Sequence, residues 1–139
     1  MKKRRNMFWE HLCRIFRKTA LVDMIHRAYA DTFSSSDIVP VHTVCSSFSM
    51  AEMFHGKTCA FKDLALSLFP YLLTWARNEL QETRDILILT ATSGDTGKAA
   101  LEGFKDVPGT KIRFFIPSME SARFKKNRCA NRKEIMLTL

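Results

Sequence analysis

Two short stretches of this chain carry residue types that could do chemistry. In FHGKTCAFKDLAL, residues 54–66, Lys62 opens an apolar run with Phe61, Leu64 and Ala65 around it. Desolvation and the positive end of a helix both work against an ammonium, and a neutral amine is a nucleophile towards aldehydes. The competing reading is that Lys62 lays its stem on apolar surface and pairs with Asp63 or another acid. In TATSGDTGKAALEGF, residues 90–104, a hydroxyl-rich turn with Gly94, Gly97 and Lys98 separates an apolar run from an amphipathic one. A strand that hands over to a helix there would aim free backbone N–H groups and the helix dipole at an anion. The competing reading is that Asp95 or Thr96 only caps the helix.

The second turn does not meet the requirements of a nucleotide cradle. A Walker loop needs a glycine five residues before Gly97 and a hydroxyl residue after Lys98; the chain has Thr92 and Ala99. The three-glycine dinucleotide fingerprint fails at Thr92 as well. Asp95 would repel a polyphosphate, whereas a small carboxylate could be held by Ser93, Thr96 and the amides of Gly94 and Gly97.

The elements that must position these residues follow from periodicity. Val22, Ile25, Tyr29 and Phe33 recur at helical spacing, which predicts an amphipathic helix over about residues 19 to 32, ended by the polar DTFSSSD loop. VPVHTVC, from Val39, predicts a short strand, and Ser46 to Ser49 a turn. FKDLALSLFPYLLTWARNEL predicts a helix buried on more than one side, kinked or divided by Pro70. ILILTAT, after Asp85, is apolar without alternation, as expected for a strand covered on both faces. KAALEGF is helical, DVPGT a turn and KIRFFIP a second strand. Strand, turn, helix, turn and strand make a β-α-β unit with parallel strands, and hence an α/β sheet. Beyond Pro117 the sequence shows no period and no strand of usable length.

Composition narrows the class. The chain has 139 residues, 46% hydrophobic and 26% charged, which suits one globular domain. Its net charge of +8 would suit a nucleic-acid binder if it were spread over one face. It is not: residues 1–18 hold seven Lys/Arg against one Asp/Glu and residues 119–139 six against two, leaving nine against eleven between them. Basic ends around a near-neutral middle argue against nucleic acid. Four scattered cysteines, Cys13, Cys45, Cys59 and Cys129, and four histidines without ligand spacing predict reduced thiols, no metal and a cytoplasmic setting. Glu10, His11 and Arg14 interrupt any signal-peptide core, Glu10 also counts against an Arg-rich transit peptide, and no apolar run is long enough to cross a membrane.

Taken together, FHGKTCAFKD and, some thirty residues on, LTATSGDTGKAALEGF resemble threonine synthase, whose usual wording is LFHGPTLAFKD and ATSGDTGKAAL. DVPGTKIRFFIP and IHRAYADTF extend the resemblance, so that it covers about residues 19–118. It implies an α/β fold, as an incomplete parallel-sheet portion of a tryptophan-synthase-β-like, fold type II pyridoxal-phosphate enzyme. It also implies that Lys62 is the lysine that bonds pyridoxal phosphate and later moves protons. Ser93, Gly94, Asp95, Thr96 and Gly97 would bind the substrate carboxylate, with Asp95 close to the cofactor's 3′-oxygen. The implied reaction is O-phosphohomoserine plus water to threonine plus phosphate.

Two positions depart from the family motif: Lys57 stands for its proline and Cys59 for its leucine. The glycine-rich loop for the cofactor's 5′-phosphate and the residue that meets the pyridine nitrogen are not found in this sequence. The expectation is a basic segment over 1–18, a threonine-synthase-like region over 19–118 and an unmatched basic tail over 119–139. Such a chain would be a truncated portion, incomplete as a catalyst by itself. Two alternatives are a non-catalytic fragment that binds a full-length relative through an unpaired sheet edge, and a nucleic-acid binder that uses its basic tail.

Overall fold

A computed structural model of the chain describes residues 15–91, 94–116 and 136–138. In chain order the elements are helix α1 (Lys18–Tyr29), strands β1 (Val41–Cys45) and β2 (Phe48–Ala51), helices α2 (Asp63–Leu66) and α3 (Phe69–Glu79), strand β3 (Ile86–Ala91), helix α4 (Asp95–Gly103), and strands β4 (Thr110–Ile116) and β5 (Met136–Thr138). No helix among the described residues is long and apolar enough to cross a membrane.

Helix α1 buries Leu21, Met24 and Ala28, not the stripe through Val22, which is 59% exposed. The sequence holds two overlapping stripes at helical spacing, and packing on the rest of the molecule selects between them. The helix stops at Tyr29, earlier than expected, and Phe33 returns to lie against the Tyr29 ring at 5.6 Å. The Tyr29 hydroxyl donates to the carbonyl of Leu64 at 2.6 Å, which ties α1 to α2. Burial raises the phenol's pKa.

Pro70 divides the long apolar segment. It sits in the first turn of α3, where a helix has an unpaired N–H to spare and the fixed φ of proline fits. The Ser46–Ser49 turn is shorter than expected, because Phe48 and Ser49 already belong to β2. Strands β1 and β2 pair antiparallel from Val41 with Ala51 to Cys45 with Phe48, joined through Ser46 and Ser47. Every residue of this hairpin is exposed, including Val41, Val44, Phe48 and Met50.

The second sheet has the order β3-β4-β5. Strands β3 and β4 are parallel, with Ile86 opposite Thr110 through Ala91 opposite Phe115, and α4 connects them as the expected β-α-β unit. β5 adds in parallel beside the end of β4, Phe114 opposite Met136 and Ile116 opposite Thr138. The tail, in which the sequence shows no period and no strand of usable length, thus holds a three-residue strand, too short to show a period and defined by pairing alone.

Strand β3 also departs from expectation. Leu87 is 51% and Leu89 62% exposed, alternating with half-buried Ile86, Ile88 and Thr90. The strand is therefore covered on one face, by α4. Its continuous apolar run suits a strand covered on both.

The core is built mainly from the buried faces of α1 and α4. Ala99, Ala100, Leu101 and Phe104 are buried, and Phe69 meets Phe104 edge to face at 5.6 Å. At Gly103 the backbones of α2 and α4 come so close that a Cβ would collide with the carbonyl of Leu66. Gly103→Leu should therefore destabilise the fold by about 1–3 kcal/mol through overpacking, read as a lowered midpoint in urea unfolding.

Candidate active site

The first motif is a turn locked onto the helix that follows it. Cys59 donates its N–H to the carbonyl of Gly56 at 3.0 Å, closing a turn in which Cys59 adopts φ +58. Asp63, only 4% exposed, reaches back across this turn. One carboxylate oxygen accepts the Thr58 N–H at 2.8 Å and the other the Thr58 hydroxyl at 2.6 Å. Gly56 lies beneath them, where any Cβ would collide with the Asp63 side chain. A buried carboxylate is tolerated only when its oxygens are satisfied in this way.

Lys62 follows from that lock. It is the N-cap of α2, immediately before the fixed Asp63, and is half-buried. Its ammonium lies over the Phe61 ring, 4.5 Å from the centroid. Among the described residues no carboxylate forms an ion pair with it. The pairing of Lys62 with Asp63 is thus not what the structure shows, because both Asp63 oxygens are engaged by Thr58.

In the second motif Gly94 is the N-cap of α4, and neither Asp95 nor Thr96 makes a side-chain cap. The capping reading of the turn is not met. Gly97 donates to the Gly94 carbonyl at 3.2 Å and is buried, while Asp95 and Thr96 are exposed in the first turn. With the Gly97 N–H spent on Gly94, the N–H groups of Asp95 and Thr96 are the ones in this first turn that helix geometry leaves without an intrahelical carbonyl, and such groups suit an anion. Ser93 lies outside the described residues.

The motifs are joined by packing. α2 lies against α4 through Leu66 and Gly103, and the Lys98 ammonium makes a long 3.4 Å contact with the Thr58 carbonyl. Thr58 therefore holds Asp63 on one side and meets Lys98 on the other. A cavity of about 490 Å³ opens elsewhere, between α1, α3 and α4, with Met24, Tyr71, Trp75 and Val107 in its wall. Lys57 and Asp63 reach it, but Lys62 and the Gly94–Gly97 turn do not.

Other polar groups went unread in the sequence. His42 and His55 both meet Glu52, at 3.6 and 2.8 Å, although nothing in their spacing suggests it. The hydrogen bond from His55 is the main reason the Glu52 pKa lies below its ordinary value. Among the described residues no group of three or more His, Cys, Asp or Glu is placed to hold a metal ion.

Comparison with known proteins gives this geometry a context. No family model matches the chain. Human threonine synthase-like 1 is 42% identical over 84 residues, which are 60% of this chain and 11% of that protein. Threonine synthase from Saccharomyces cerevisiae is 37% identical over 108 residues, 70% of this chain and 21% of the relative. Among solved structures, PLP-bound threonine synthase from Brucella melitensis superposes with a TM-score of 0.64 at 32% identity, over 71% of this chain and 21% of that one. The resemblance read from the two motifs is therefore shown in both sequence and structure: over part of its length this chain is similar to threonine synthases, one of them solved with PLP bound. It spans between about a tenth and a quarter of the length of the relatives it matches.

The residues present fit the amine half of a pyridoxal-phosphate site. Lys62 offers a primary amine that pairs with no carboxylate among the described residues, and the first turn of α4 offers the N–H groups of Asp95 and Thr96 for an anion.

Two outcomes test the local account. Asp63→Ala should cost about 2–3 kcal/mol, because it strands the buried donors of Thr58, and urea unfolding would read it. Glu52, with its pKa lowered in the fold, contributes stability above its ordinary pKa that is lost as pH falls through the lower folded value. Glu52→Ala should accordingly flatten the acid limb of stability against pH.

Proposed function

We propose that residues 54–104 form the lysine and carboxylate-binding part of a threonine-synthase-type site. Lys62 is the amine that takes up pyridoxal phosphate, and Ser93, Gly94, Asp95, Thr96 and Gly97 cradle the carboxylate of O-phosphohomoserine. Asp95 is assigned to the cofactor's 3′-oxygen. The reaction is the conversion of O-phosphohomoserine and water to threonine and phosphate, completed by parts of the site beyond these motifs. This chain by itself is read as catalytically incomplete.

The observation that carries the reading is the Lys62 amine, unpaired with any carboxylate among the described residues, at the start of a helix packed against the one that bears the second motif. Pyridoxal phosphate, when bound, supplies an electron sink for charge left at the substrate's Cα. The chain's own residues do the rest of what is proposed here. The N–H groups at the start of α4 orient the carboxylate, and the exposed hydroxyl of Thr96 adds a donor. The flexible stem of Lys62 lets Nζ move, so that its amine can accept a proton and return it. Asp63, held by Thr58, fixes where that stem starts.

Pyridoxal phosphate added to the whole chain should give a visible absorption band that saturates. Borohydride reduction and peptide mass mapping should then find the phosphopyridoxyl adduct on Lys62, and Lys62→Ala should abolish both band and adduct. Labelling spread over many lysines, or unchanged by Lys62→Ala, would overturn the assignment.

A further inference from the structure

A second constellation borders that site and shares His55 with its first motif, where the loop after α1 meets the end of the β1–β2 hairpin. The Ser34 hydroxyl oxygen is 2.9 Å from His55 Nδ1, and His55 Nε2 is 2.8 Å from a carboxylate oxygen of Glu52. The backbone repeats the connection, since the Ser34 N–H donates to the His55 carbonyl at 2.9 Å. Glu52 and His55 are three residues apart, whereas Ser34 lies 21 residues before His55 and is brought to it by the fold.

The carboxylate decides how the protons lie. Ionised Glu52 can only accept, so a neutral His55 must carry its proton on Nε2 and donate it to Glu52. Nδ1 then holds the lone pair, and the Ser34 O–H is the group left to donate to it. The same logic of nucleophile, base and orienting acid defines hydrolytic triads on unrelated folds, recognised by geometry and roles rather than by order in the chain.

Burial is distributed as those roles require. The side chains of His55 and Glu52 are 17% and 29% exposed, so base and orienter are sheltered, while Ser34 is open to solvent. The Phe54 ring stacks on the His55 imidazole at 4.7 Å and holds its plane, and His42 approaches the second Glu52 oxygen at 3.6 Å.

We propose that Ser34, His55 and Glu52 form an activated-serine site that accepts acyl groups from small, activated esters. Ser34 Oγ attacks the ester carbonyl and a new C–O bond forms. Its proton passes to His55 Nδ1, the bond to the leaving oxygen breaks, and the leaving alcohol departs with that proton. Water attacks the acyl group in the same manner, giving the carboxylic acid and restoring Ser34. Glu52 stays ionised throughout and balances the charge on the imidazole.

A fluorophosphonate probe, which phosphonylates an activated serine and expels fluoride, tests this on the intact chain. Peptide mass mapping should find the label on Ser34 at a rate about a hundredfold or more above the other serines, the scale of a positioned base. His55→Ala should remove that advantage, and Glu52→Ala should reduce it at least about tenfold. Labelling of Ser34 in the unsubstituted chain no faster than of its neighbours Ser35 and Ser36 would overturn the proposal, and needs no variant to fold. So would labelling that persists in full in a His55→Ala chain whose circular dichroism is unchanged. Neither outcome bears on Lys62, which the probe does not modify.

Discussion

The grip of the Asp63 carboxylate on Thr58 is the interaction on which the rest of the site depends. It uses both oxygens of a buried acid and both donors of a buried threonine, and it closes the five-residue step between turn and helix. Without it the Gly56–Cys59 turn would have no reason to fold back against α2, and Lys62 would start from a loose backbone. The glycine at position 56 is required by the same contact, because nothing larger fits beneath the carboxylate. A buried charge is costly unless every oxygen finds a donor, so this pair is held by the penalty for separating it as much as by its own attraction.

From that anchor the architecture extends through close approaches of backbone. Thr58 meets Lys98 of the second motif, Leu66 meets Gly103, and Tyr29 reaches the carbonyl of Leu64. Two of these contacts tie α4 to the turn before α2 and to α2 itself, and the third ties α1 to α2, so a short stretch of chain joins two longer helices. The buried apolar residues come mainly from α1 and α4, with Leu21, Met24 and Ala28 on the first and Ala99, Ala100 and Leu101 on the second. Away from these helices the coverage thins, and Leu87, Leu89 and the whole hairpin face solvent.

Much of this was legible in the sequence, for physical reasons that differ by element. The parallel β3 and β4 with α4 between them follow from a pattern that switches from an apolar run to helical spacing and back. Pro70 announced the division of its helix, because proline is tolerated only in the first turn. The stripe of α1 was misread, since Leu21–Met24–Ala28 and Val22–Ile25–Tyr29 are equally periodic and only tertiary packing separates them. β2 and β5 were missed because short strands are defined by their partners. Lys62 and Gly94 fall at helix starts, as read. The engagement of Ser34 by His55, 21 residues on, leaves no local signature because it depends on where a loop returns, and the local contacts of Asp63 with Thr58 and of His55 with Glu52 lie in irregular backbone that shows no period.

The most direct measurement is native-state hydrogen exchange at the Thr58 amide. If the Asp63 grip organises the site, this amide should exchange only through large-scale opening, far more slowly than the exposed amides of the hairpin, and Asp63→Ala should bring it close to them. Exchange of Thr58 as fast as an open loop amide in the unsubstituted chain, at a pH where the hairpin amides are resolved, would contradict the central claim.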